Sequence, residues 1–402
     1  MKKEARFLKE CIGRYLGKQE ELDLALVYKK CVPVKLFSLI SDQRLEGLMH
    51  YLDSRECFIN IPLPESIKTR WKTIAWKNSF QNDLTDTNAD SIFRQMAVLG
   101  LEYVWLKGKA VRMLHKTDYI FSSSDLDLFI DKDTYPELKK LLLSEGYTIP
   151  EPEKMMKDTV LDISEFEESM NEIMFVKKDK AINYVIDVQW DFIGFGTKSP
   201  LHDLYGINEL ILSQRTKLDP GSSTYPMSLS TEIHFCVMAI HLCLHHGFRG
   251  VKWFVDMANY YLLCSPDLEK LNKEVSRDVM KSVGIEVALI HEYAGLKRPN
   301  RQMRRNLCID RLLPFELSFY RSMLFLKNDG LWNNISHRII KALLPYRHRD
   351  KYRILSYMLL NPDSVVHRVD KANSKKGFCN IFALFRIMIE NVKRYRRNKR
   401  GK

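Results

Sequence analysis

Apolar residues recur at intervals of three and four through the first hundred positions, as in "LFSLISDQRLEGLMHYL" (36–52) and "DSIFRQMAVLG" (90–100), with polar faces between them. This spacing predicts an all-helical lead-in. At Tyr103–Gly108 the pattern changes to a short β-type run, "YVWLKG", that ends in glycine, and "KAVRMLH" after it reads as a helix. "SDLDLFID" (124–131) alternates like a strand, "TYPELKKLLLSEGY" (134–147) is a helix closed by Gly146, and "NYVIDVQWDF" (183–192) is a third strand. The end of the acidic stretch "SEFEESMNEIMFVKK" offers one more strand. Beyond a loop rich in turn formers, "LDPGSSTYPMS", the helical period returns with "STEIHFCVMAIHLCLHH", for which Ser230 or Thr231 is the candidate cap and Glu232 the first-turn acid. The pattern therefore predicts an α+β chain: a helical region over 1–98, a mixed core over 99–198 and a helical region over 199–402.

Composition narrows the class. A chain of 402 residues that is 45% hydrophobic buries substantial cores, which excludes disorder throughout. Its net charge of +13 is partly a property of the last twelve residues, "NVKRYRRNKRGK", which carry seven basic groups and no acid and leave +6 for the rest. Such a tail suits nucleic acid or an anionic surface, or is simply a solvated end. Eight cysteines without a CxxC spacing fit reduced thiols and a cytoplasmic protein. The N-terminus is too interrupted by charge for a signal peptide, and no window approaches the roughly 18 uninterrupted apolar residues of a membrane span. The amphipathic stretch from Asn380 is read as a terminal helix packed on the body rather than one lying on a membrane.

The candidate chemistry lies in "SDLDLFID". On a strand, side chains at i and i+2 share a face, with Cα atoms about 6.5–7 Å apart, so Asp125 and Asp127 converge while Leu126, Leu128 and Ile130 take the other side. Two carboxylates held this close repel unless a cation lies between them, and Mg²⁺ favours one or two carboxylates with water and substrate phosphates. Asp187, inside the apolar run "VIDVQW", supplies a third. If the two strands are neighbours, three carboxylates can hold two metals about 3.5–4 Å apart, the arrangement of phosphoryl and nucleotidyl transfer. Upstream, Gly108 lets backbone approach a phosphate, Lys107 or Lys109 adds charge there, and Ser124 either bonds a phosphate or ends its loop. A solvated acidic strand face would account for Asp125 and Asp127 alone, but not for the ordered Lys-Gly and Asp187. An EF-hand is excluded, because Phe129 and Ile130 stand where that loop needs an oxygen ligand and a glycine.

His241 and His245 are one helical turn apart, yet Leu242 replaces the glutamate of a zinc-protease motif. The favoured reading is that one or two of His234, His241, His245 and His246 pack or hydrogen-bond at the domain junction. In "RGVKWFVDM", Arg249, Lys252 and Asp256 form either a surface ion-pair cluster or a nucleotide or acceptor contact.

Taken in order, "WLKGKAV", "SDLDLFI", "EGY", "IDVQW" and "HLCLHHGFRGVKWFVDMANYY" resemble a bacterial nucleotidyltransferase family known largely from sequence, within the polymerase β-like nucleotidyltransferase superfamily. The resemblance runs from about residue 30 to about residue 360. It implies a polymerase β-like core, a small mixed sheet with flanking helices, between helical N- and C-terminal regions. It implies Asp125 and Asp127 as metal ligands with Asp187 as the third catalytic carboxylate, and Lys107 and Gly108 as the groups that hold the triphosphate, beside which Lys109 and Ser124 are the further candidates read above. The activity implied is Mg²⁺-dependent transfer of a nucleoside monophosphate from an NTP to an acceptor, small molecule or protein, with release of pyrophosphate. One position departs from the pattern: where the family often has histidine two residues after the third aspartate, this chain has Gln189, which cannot change charge near neutral pH. That departure is the best argument for a rival reading as a noncatalytic nucleotide-binding regulator. The basic tail is the argument for another, an RNA-binding adaptor.

Overall fold

The computed structural model describes residues 3–354 except 20–21, 107–110, 112–114, 123–124, 151–171, 180–181, 194–199, 214, 218–226, 311, 313, 326–343, 346 and 348. The N-terminal region is helical as expected: α1 (Lys3–Tyr15), α2 (Leu24–Tyr28), α3 (Pro33–Asp42), α4 (Glu46–Ser54) and α5 (Glu65–Val98). Pro33 opens α3 at a position where the missing N–H has no partner to lose. The apolar run 36–52 is not one helix. Arg44, at φ 54°, lies at the break between α3 and α4.

Among the described residues six strands form one mixed sheet in the order β3-β4-β2-β1-β6-β5: β1 (Val104–Trp105), β2 (Asp125–Phe129), β3 (Glu172–Lys178), β4 (Asn183–Gln189), β5 (Arg215–Lys217) and β6 (Met227–Leu229). The central pair, β2 and β4, is parallel, and Asp127 is in register with Asp187. β3 continues the sheet antiparallel to β4, as the end of the acidic stretch suggested. The β5–β6 hairpin was not expected. Its ladder of Arg215–Lys217 against Met227–Leu229 pairs with β1 through Met227, in a stretch read as loop.

Alternation on β2 and β4 sorts the two faces. Leu126, Leu128, Ile186 and Val188 enter a core with Ile92, Phe93 and Met96 of α5, and with Leu138 and Leu142 of α6 (Tyr135–Ser144). Gly146 closes that helix at φ 83°. The opposite face, with its aspartates, is left for chemistry. The remaining described elements are helices: α7 (Pro200–Tyr205), α8 (Ile207–Ser213), α9 (Thr231–Ile240), α10 (Val251–Cys264), α11 (Leu268–Glu274), α12 (Arg277–Tyr293), α13 (Arg301–Asn306) and α14 (Pro314–Met323). Ser230 is the cap of α9, its hydroxyl accepting the Ile233 N–H. The apolar pattern through 246 does not stay α-helical, because His241–His245 form a π turn. Phe7, Leu8 and Ile12 of α1 share one core with Val237 of α9 and Val283 of α12. Among the described residues no helix is long and apolar enough to cross a membrane.

One buried acid makes the stability of this core depend on pH. Glu286 of α12 is fully buried, Cys243 donates to its Oε1 at 3.7 Å, and its Oε2 has no hydrogen-bond partner among the described residues. Burial pushes this carboxyl well above the usual range. A raised folded-state pKa gives stability that is complete below the unfolded pKa and is lost as pH rises toward the folded one. Glu286→Gln is therefore expected to raise the melting temperature relative to the parent more at pH 8 than at pH 5. A difference that does not vary with pH would contradict this assignment.

Candidate active site

The β2–β4 register brings the three aspartates together. Asp125 and Asp127 lie on alternate positions of β2, Asp187 stands beside Asp127 on β4, and one carboxylate oxygen from each lies within 4.8 Å of the others. Asp127 is buried, and the other two are half-buried. Among the described residues this is the one group of three with metal-binding geometry, and the histidines form none. His241 and His245 instead stack at 4.8 Å between ring centroids, and His246 stacks on Trp253 at 4.8 Å. Three hard oxygen donors with no sulfur or imidazole among them suit Mg²⁺ in kind.

Gln189 faces the same way as Asp187, two residues on. Its Nε2 donates to Asp127 Oδ1 at 3.2 Å, both residues being buried. The departure at this position therefore supplies a neutral donor that orients a carboxylate. The sequence shows that Gln189 can hydrogen-bond but does not name Asp127 as its partner. The signal was available, since i+2 alternation puts residues 187 and 189 on one face.

Two further residues were singled out without their role being read. Leu106, the last described residue before Lys107, donates its N–H to the Asp127 carbonyl at 3.3 Å and accepts from His234 Nε2 of α9 at 2.8 Å. Burial lowers the His234 pKa to about 4, so the ring is neutral at physiological pH with its proton on Nε2. Lys252 of α10 donates to the Ser122 carbonyl at 2.8 Å, on the approach to β2, and its ammonium lies 4.5 Å from the centre of the Trp253 ring. Burial lowers its pKa, while the attraction of Asp256, Asp125 and Asp127 opposes that shift. Asp256 in turn bonds His115 Nε2 at 2.6 Å, and His115 Nδ1 meets Tyr15 Oη at 2.8 Å. Lys252 and Asp256 thus belong to an inward-facing network rather than a surface ion-pair cluster. Arg249 Nε donates to the His246 carbonyl at 3.1 Å.

Residues 118–121 are held as firmly. Asn78 and Asn82 of α5 donate to the carbonyls of Tyr119, Asp118 and Phe121. The helical regions therefore clamp both chain segments that flank the carboxylates. Lys107, Gly108, Lys109 and Ser124, expected on the nucleotide side, lie outside the described residues, as does the basic tail.

A carboxylate triad on adjacent strands of a small mixed sheet is compatible with a divalent-metal site. A family model described as "uncharacterised nucleotidyltransferase" matches residues 33–292, and the chain belongs to that family. The match begins where the sequence resemblance did and ends well before residue 360. No curated protein matches the chain.

Proposed function

We propose that this transferase uses Mg²⁺ to move a nucleoside monophosphate from an NTP to an acceptor. The observation that carries the proposal is the convergence of Asp125, Asp127 and Asp187 within 4.8 Å on one sheet face. Asp125 and Asp127 would hold the cation, with Asp187 as the third ligand. When bound, it would neutralise phosphate charge and favour departure of pyrophosphate. Gln189 keeps the Asp127 carboxylate oriented, which leaves less rearrangement to be made when the substrate arrives.

Asp187 takes the proton of the acceptor hydroxyl as the acceptor oxygen bonds to the α-phosphorus. The α–β bridging bond breaks and its electron pair leaves with pyrophosphate. Lys107, Lys109, the Gly108 backbone and Ser124 would hold the triphosphate. His234 on Leu106 and Lys252 on Ser122 support this reading, because each anchors the chain next to one of those groups.

The binding step has a direct test. Without a divalent ion the aspartates repel a triphosphate, so calorimetry is expected to show NTP binding with Mg²⁺ and none in excess chelator. Equal affinity in both buffers would remove the metal from the proposal and favour a nucleotide-binding regulator.

A further inference from the structure

α13 carries basic charge that no ion pair among the described residues neutralises. Between Tyr293 and Ile309 the chain has Lys297, Arg298, Arg301, Arg304 and Arg305 and no acid, and all five basic side chains are exposed. None of the five has an ion-pair partner among the described residues. Arg301, Arg304 and Arg305 fall at i, i+3 and i+4, where like charges are neighbours and weaken a helix. They line a groove of about 430 Å³ with Pro299 and with one acid, Asp310. The opposite face of the helix carries Gln302, Met303 and Asn306, which border a separate groove with Asp267 and Glu269. The three arginines of the helix thus line one groove and its uncharged residues the other.

α10 runs between the candidate site and the neighbourhood of α13. α10 starts at the site with Lys252, and Tyr261, one turn before its far end, borders the groove shared with Met303. Lys252 and Tyr261 are separated by about 14 Å along this helix. Guanidinium forks pair bidentately with phosphates. A six-residue helix about 9 Å long spans a few consecutive phosphates of one strand, but not the width of a duplex groove. A membrane surface is disfavoured, since Leu296 is the one large exposed apolar residue in the segment. The patch also lies just beyond the matched family region, which ends at residue 292.

We propose that Lys297–Arg305 is a docking surface for a single nucleic-acid strand, engaged through its phosphates. This goes beyond the transfer reaction and is tested without turnover. Binding of a fluorescent 12-nucleotide oligo-U by the full chain is measured by anisotropy over a series of salt concentrations, with oligo-dT as a second arm. The strand is expected to bind in both arms, with affinity falling steeply as salt rises. Arg301→Glu, Arg304→Glu and Arg305→Glu combined are expected to weaken it at least about tenfold and to flatten the salt slope by about 2, three contacts at ~0.7 each. Metal-dependent NTP binding is expected to persist in that variant, so failure here and failure of the transferase reading are separable. The corresponding triple Gln variant serves if the Glu variant melts early. No binding by the parent, unchanged affinity in both variants, or loss only on deletion of Lys393–Lys402 would overturn the proposal. Equal competition by polyglutamate would assign the surface to an acidic protein instead.

Discussion

Asp125→Asn and Asp127→Asn are each expected to lower NTP turnover roughly a thousandfold or more without lowering fold stability. Loss of one anionic ligand displaces the cation and the phosphate it positions, so binding and chemistry fail together. The stability half of the expectation comes from the surroundings. Asp127 is buried with two other carboxylates within 4.8 Å, so each Asn removes part of a repelling set. At position 127 the Asn Oδ1 can still accept the Gln189 amide, which keeps the hydrogen bond. Thermal melts in chelator are therefore expected to be unchanged or slightly higher for both variants. Marked destabilisation with metal and NTP binding retained would make the aspartates structural, and the proposed chemistry would fall with it.

Gly47→Ala is expected to destabilise the protein by about 3 kcal/mol. A Cβ at Gly47 of α4 would stand 2.4 Å from the carbonyl oxygens of both Tyr119 and Ile120. Backbone cannot swing aside as a flexible side chain does, and this backbone is tethered by Asn78 and Asn82 on one flank and by Lys252 on the next. The strain passes into the segment that leads to Asp125, so NTP binding should weaken as well. Denaturant unfolding measures the first effect and calorimetry the second. A change within about 0.5 kcal/mol would show that α4 and residues 119–120 separate freely.

The candidate strand was legible because β2 alternates as a strand should, yet puts carboxylates where an ordinary strand face is apolar or neutral. Asp187 was legible for the same reason. What the pattern cannot carry is pairing. That Asp127 meets Asp187 rather than Val185 is a matter of register, set by the apolar face of both strands packing on α5 and α6. Expected as a run from Tyr103, β1 is only Val104–Trp105, because the Leu106 carbonyl turns to His234 instead of a strand partner. The β5–β6 hairpin escaped notice since three-residue strands are too short to show a period. His234 and Lys252 stood out by residue type alone, and their partners are backbone carbonyls more than a hundred residues away, which no local pattern reports.

Transfer itself is tested most directly by following each phosphate of the nucleotide. The protein is incubated with Mg²⁺ and cell extract in parallel reactions holding NTP labelled at the α- or the γ-phosphorus. Label from the α position is expected on an acceptor and label from the γ position in pyrophosphate, both absent with Asp127→Asn. Appearance of γ label on the acceptor, or α label that transfers equally with the Asn variant, would contradict nucleotidyl transfer at this site.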